Sequence, residues 1–134
     1  MFKLKRLIST KSWYVSMKPA IVKAQNLDEA LTPEHCFIAE NYRSSQVSIA
    51  RAKVKAGVTS VPHHLNGIDE IYIITQGTGT VHLGNQQPAQ ENTGDLVFIP
   101  AGTSQSITNT GDSDLVFYCV CNPCFSEDCY VSAA

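Results

Sequence analysis

From Gln46 onward the apolar residues fall in short runs with a period of about two, each closed by glycine, proline or asparagine. Val47 to Val54 alternates and stops before Gly57. Ile68 to Thr75 is rich in β-branched and aromatic residues and ends at Gly77 and Gly79. Thr80 to Leu83 runs into Gly84-Asn85, a hairpin turn signal. Asp95 to Ile99 lies between Gly94 and Pro100, Gln105 to Asn109 precedes Thr110-Gly111-Asp112, and Leu115 to Cys121 ends before Pro123. Short strands at this spacing predict an all-β domain, an antiparallel sandwich or barrel. Upstream the pattern is weaker. Ser12 to Met17 suggests one strand, and Asn26 to Ala39 a turn of helix broken at Pro33. The chain therefore divides into a less regular N-terminal segment, residues 1–45, packed on the barrel or on a partner subunit, and a barrel over residues 46–134.

One turn carries a chemical consequence. Asn66-Gly67 favours a two-residue hairpin. With those residues at its centre, Leu65 opposes Ile68 and His63 opposes Glu70, with Cβ atoms roughly 4.5–5.5 Å apart. Strand alternation puts His63 and Leu65 on one face and His64 on the other. An imidazole and a carboxylate would then meet.

Composition narrows the function classes. The chain has 134 residues, 43% apolar and 16% charged, with a formal net charge of −2. That suits one globular domain and gives no general attraction to nucleic acid or to an anionic membrane. Lys3, Lys5, Arg6, Lys11 and Lys18 crowd the N-terminus, which reads as a solvated face. No apolar run approaches the roughly 18 residues of a membrane span, and no signal-peptide pattern is present, so a cytoplasmic location is expected. The five cysteines do not suggest a secreted disulfide framework. Cys119, Cys121, Cys124 and Cys129 invite a zinc reading, but their spacing is not that of paired knuckles, and buried apolar thiols explain them more simply.

Two stretches then resemble a known family. Gly57, His63, Glu70 and Gly77 match in spacing the first motif of the cupins, and Gly94, Pro100, Gly102 and Asn109 match the second. The resemblance implies a cupin double-stranded β-helix, a jelly-roll-like antiparallel barrel. It also implies a metal site at the positions of His63, Leu65, Glu70 and Gln105. Leucine cannot ligate, and a glutamine amide oxygen is a poorer donor than imidazole for a soft metal. The sequence is similar to small bacterial cupins that carry such a glutamine and end in a Cys-x-Pro-x-Phe stretch, here Cys121 to Phe125.

The resemblance leaves two function classes open. One is an enzyme of isomerase, dioxygenase or decarboxylase type acting on a small polar metabolite. Its His63, Glu70 and Gln105 would hold one divalent ion (Mn, Fe, Zn or Ni), or His63 and Glu70 would transfer protons without one. The other is a non-catalytic cupin that binds a small ligand in a degraded or metal-free pocket. Leu65, Tyr72, Arg51 and His64 are further candidates to line the pocket. The resemblance also implies a homodimer to which the N-terminal segment contributes.

Overall fold

The computed structural model describes residues 18–133. They form eleven strands, β1 (Ala30–Leu31), β2 (Phe37–Arg43), β3 (Ser48–Val54), β4 (His63–Leu65), β5 (Asp69–Gln76), β6 (Thr78–Leu83), β7 (Ala89–Asn92), β8 (Leu96–Ile99), β9 (Gln105–Asn109), β10 (Leu115–Asn122) and β11 (Tyr130–Ser132). All pairings are antiparallel. One sheet has the order β1-β2-β3-β10-β5-β8 and the other β11-β4-β9-β6-β7. The two inner faces enclose a core of alternating side chains, among them Ile38, Ala52, Val54, Tyr72, Ile74, Ile99, Ile107, Leu115 and Phe117. The all-β expectation holds, and so do the strands predicted between Val47 and Cys121. No helix among the described residues is long and apolar enough to cross a membrane.

Three expectations need correction or placement. Residues 26–39 hold no turn of α-helix. A single 3-10 turn at Ala24–Asn26 is followed by β1, and β2 starts at Phe37. Pro33 sits in the tight turn between them. β1 and β2 extend the six-stranded sheet, so this part of the N-terminal segment shares the barrel's own hydrogen bonds. The strand suggested at Ser12 to Met17 lies outside the described residues.

The largest difference concerns Asn66-Gly67. Gly67 is left-handed at φ 73, as such a turn requires. The strands it joins nevertheless belong to opposite sheets. The Leu65 carbonyl accepts from Gly102 N at 2.8 Å, and Asn66 N donates to the Cys129 carbonyl at 2.8 Å. With those groups taken, no ladder can form across the turn. His63 pairs with Gln105 on β9, and Glu70 pairs with Ile99 on β8 and Cys121 on β10. Local turn preference predicted a hairpin, and tertiary hydrogen bonds overrode it. β7 and β11 were not expected. β7 is polar and exposed, and β11 is three residues long, so neither carries a strong alternation.

Candidate active site

A cavity of about 60 Å³ lies between the sheets, room for about four to six waters at ~10–15 Å³ each. His63 enters its wall from β4, and Glu70 and Tyr72 from β5 on the opposite sheet. The predicted meeting of His63 and Glu70 is thus replaced by a shared cavity. Alternation on β4 buries His63 and Leu65 and leaves His64 half-exposed beside Val131. Leu65 lines the cavity; His64 does not. Arg51 is not in its wall either. Ser48, Ala50 and Ala52 take the inward positions of β3, so period two turns Arg51 outward, where it pairs with Glu29 at 3.6 Å.

The environment of each polar group explains its charge. Glu70 is buried, and its Oε1 has no hydrogen-bond partner. Burial raises its pKa from 4.5 to about 7, while Gln105, Cys121 and Cys119 beside the carboxylate act the other way. Gln105 is buried at 2% exposure, and its Oε1 accepts from the Tyr72 hydroxyl. Tyr72 itself is pushed up by burial and by Glu70. His63 Nδ1 lies 2.9 Å from the Val61 carbonyl, which can only accept. Nδ1 therefore carries the hydrogen and Nε2 keeps its lone pair. Burial lowers the His63 pKa, so the ring is neutral at neutral pH. Tyr130 stacks on it with centroids 4.7 Å apart.

The structure adds groups that the sequence reading missed. Glu34, on the turn before β2, lines the cavity with its Oε2 3.5 Å from His63 Nδ1. Burial, and then the charge of Glu70, raise its pKa from 4.5 to about 8. Cys36, Cys119 and Cys121 also line the cavity, with thiol pKa values raised by burial. At neutral pH these thiols are protonated, which makes them apolar wall rather than nucleophiles. The Cys-x-Pro-x-Phe stretch places Phe125 in the wall, with its N–H on Ser48 Oγ at 2.8 Å. Inward parity on β10 could have identified Cys119 and Cys121. Nothing in the sequence pattern marks Glu34.

The set of donors that a cupin metal site would use is incomplete here. The Gln105 amide oxygen already accepts from Tyr72, whereas His63 keeps Nε2 and Glu70 keeps Oε1 open, so two of the expected donors remain available. Leu65 occupies the position of a second imidazole. Among the described residues no three His, Cys, Asp or Glu side chains are grouped to hold a metal ion.

Comparison with known proteins agrees with this architecture. Residues 50–121 match the family model described as a cupin domain. The chain belongs to the cupin family. It is 29% identical over 118 residues to an uncharacterized protein of Methanocaldococcus jannaschii, covering 88% of this chain and 90% of that one. It is 35% identical over 86 residues to an oxalate-binding protein of Thermotoga maritima, covering 64% and 70%. Among solved structures, KdgF from Halomonas superposes with a TM-score of 0.74 at 16% identity, over 83% of this chain and 98% of that one. This cupin is therefore a double-stranded β-helix whose family-motif positions His63 and Glu70 line one cavity, while Gln105 stands outside the lining and bonds to the lining Tyr72.

Proposed function

We propose that this cupin is a metal-independent acid–base enzyme that binds a small neutral hydroxycarbonyl compound and moves a proton on it, as an isomerase or lyase does. The observation that carries this reading is the buried Glu70 Oε1 without a partner, in the same cavity as a neutral His63 whose Nε2 keeps its lone pair. A buried polar atom left unpaired costs ~1–3 kcal/mol, a cost that a bound ligand's hydrogen bond would offset. In the proposed step, His63 Nε2 removes a proton from the carbon next to the carbonyl. The protonated Glu70 donates to the oxygen as negative charge develops there. Glu70 then recovers its proton from the enol, and His63 returns one to carbon. A pKa near 7 suits Glu70 to both roles.

The lack of a cationic side chain in the wall favours a neutral ligand over the dianion suggested by the name of the Thermotoga relative. Glu34, Glu40 and Glu70 line the cavity, and among the described residues no lysine or arginine does. The test is deuterium incorporation from D2O, followed by NMR, into a panel of short hydroxyaldehydes and hydroxyketones with chelator present. Oxalate serves as the comparison ligand. The expected result is exchange into a neutral compound, reduced about 100-fold or more in Glu70→Gln and His63→Gln. Exchange only after adding metal would overturn the reading. Tight oxalate binding with no exchange would favour the non-catalytic binder.

We also propose that a second copy covers the outer face of the six-stranded sheet. Cross-strand register aligns Phe98, Ile71, Val120, Ile49 and Tyr42 in one row, and Leu96, Ile73 and Tyr118 in the next. Leu96 and Phe98 are 59% and 53% exposed on the edge strand β8. An apolar patch of this kind on a sheet edge needs cover. Light scattering should give a dimer that dissociates in Phe98→Lys. A monomeric wild type at micromolar concentration would contradict it.

A further inference from the structure

Glu34 lies outside both sequence motifs that define the family resemblance, yet the chain holds it in the cavity by means that do not use its carboxyl. The turn from Thr32 to Cys36 closes through Thr32 N and Thr32 Oγ1, each 2.8 Å from the Cys36 carbonyl, and through His35 N to the Thr32 carbonyl at 3.0 Å. The Glu34 carbonyl accepts from Val61 N at 3.1 Å, and His35 Nδ1 lies 3.3 Å from the Thr59 carbonyl. These bonds tie the turn to the chain leading into β4, which carries His63. Every one of them uses backbone, Thr32 or His35 atoms, so the turn would close equally well around an uncharged side chain at position 34.

The same turn contains His35 at φ 77, the one non-glycine residue with positive φ among the described residues. A left-handed conformation is unfavourable for a residue with a Cβ and is retained where the surroundings impose it, often at a functional site. In this turn Glu34 faces inward, at 9% exposure, while His35 stays exposed. Once inside, the carboxyl finds no lysine or arginine among the described residues of the wall. The basic group beside it is the neutral His63 ring, with Nδ1 at 3.5 Å, a nitrogen whose hydrogen already points to Val61 at 2.9 Å. A carboxyl that contributes nothing to closing its own turn, and that is poorly matched where it lies, is what a ligand-contacting group looks like before the ligand arrives.

We propose that Glu34 is a further catalytic residue of this site, hydrogen-bonding the bound compound directly beside the His63 ring while Glu70 engages it from β5. This rests on the reading of the cavity as an acid–base site for a small neutral compound. Glu34 would fix which end of a hydroxycarbonyl ligand faces His63, by donating to or accepting from the hydroxyl adjacent to the reacting carbon.

Two readouts test it, and one needs no substrate. At pH 8 a glutamate is charged in the unfolded chain, and a functional carboxyl buried without a good partner makes folding less favourable than a neutral amide of the same shape does. Glu34→Gln should then melt at least as high as the wild type, by about 2–5 °C more. Glu34→Asp, which withdraws the carboxyl by one methylene, should stay folded and lose about ten-fold or more of the exchange rate. The Glu34→Asp loss is expected in kcat more than in KM, because positioning at the reacting carbon matters most in the transition state. A Glu34→Gln melting temperature several degrees below the wild type, with exchange per folded molecule unchanged in Glu34→Asp, would assign the carboxyl a structural role and overturn the proposal. If no panel compound exchanges even in the wild type, the acid–base reading fails on its own. The melting temperatures still decide Glu34: a rise keeps it as a ligand-contacting group, and a fall removes it.

Discussion

Asn109 and Glu70 are both motif residues and both buried, at 1% and 7% exposure, yet their surroundings are opposites. Asn109 Nδ2 donates to the Val54 carbonyl at 2.8 Å and the Ser113 carbonyl at 2.7 Å, and its Oδ1 accepts from Gly111 N at 2.9 Å. Both donors and the acceptor are in use, and the bonds join β3, β9 and the loop into β10. Glu70 carries a carboxyl with one oxygen unpartnered, in a cavity it shares with a neutral imidazole and a second carboxyl. The barrel thus has a closed end, where buried polar groups satisfy one another, and a cavity end, where they do not. The first arrangement stabilises the fold. The second costs stability and leaves hydrogen-bonding capacity for a ligand.

The largest expected effect comes from breaking the closed end. Asn109→Ala leaves two carbonyls and one N–H without their partners and should cost ~3–5 kcal/mol, measured by urea unfolding. A loss under ~1 kcal/mol would remove the distinction between the two ends. Gly77→Ala is next. Gly77 has φ 86, and a Cβ there would meet the Asp114 carbonyl oxygen at 2.7 Å. Both the left-handed backbone and the clash oppose it, so ~2–3 kcal/mol is expected by the same measurement.

The cavity end should reveal itself through pH. Glu34 and Glu70 have folded-state pKa values raised from 4.5 to about 8 and about 7. The folded chain therefore holds more protons than the unfolded chain across that window. Their contribution is fully present below about pH 4.5 and is lost as pH rises to 7–8. His63, with its pKa lowered, acts oppositely, and its contribution is lost as pH falls through 6.5. The melting temperature should fall between pH 6.5 and 8, and the slope should shrink in Glu34→Gln and again in the double variant with Glu70→Gln. A slope unchanged by both substitutions would contradict this electrostatic picture. The smallest effect is expected outside the cavity. Arg51→Ala removes an outward ion pair with Glu29, so stability should move by less than ~0.5 kcal/mol with deuterium exchange unchanged.

These contrasts also show what was legible in the sequence. The strands from β3 to β10 follow from alternation and glycine punctuation, apart from the polar β7, because each must bury one face. His63, Leu65, Glu70 and Tyr72 follow from parity and motif spacing, since they sit on regular strands. The hairpin register did not, because the hydrogen bonds that separate β4 from β5 come from Gly102 and Cys129, far along the chain. Arg51 and His64 had the right chemistry on the outward parity. Glu34 was invisible for a different reason. It lies on an irregular turn whose direction depends on a left-handed His35 and on bonds to residues 59 and 61, and neither hydrophobic period nor turn propensity reports such a conformation.

The most direct test of the central claim is carbon-13 NMR of the glutamate side-chain carboxyls, titrated from pH 4 to 9 in the wild type with chelator present. Two carboxyl signals should titrate near 7 and near 8, the first missing in Glu70→Gln and the second in Glu34→Gln. If every glutamate instead titrates near 4.5, the cavity holds ordinary carboxylates, and its acid–base role is wrong.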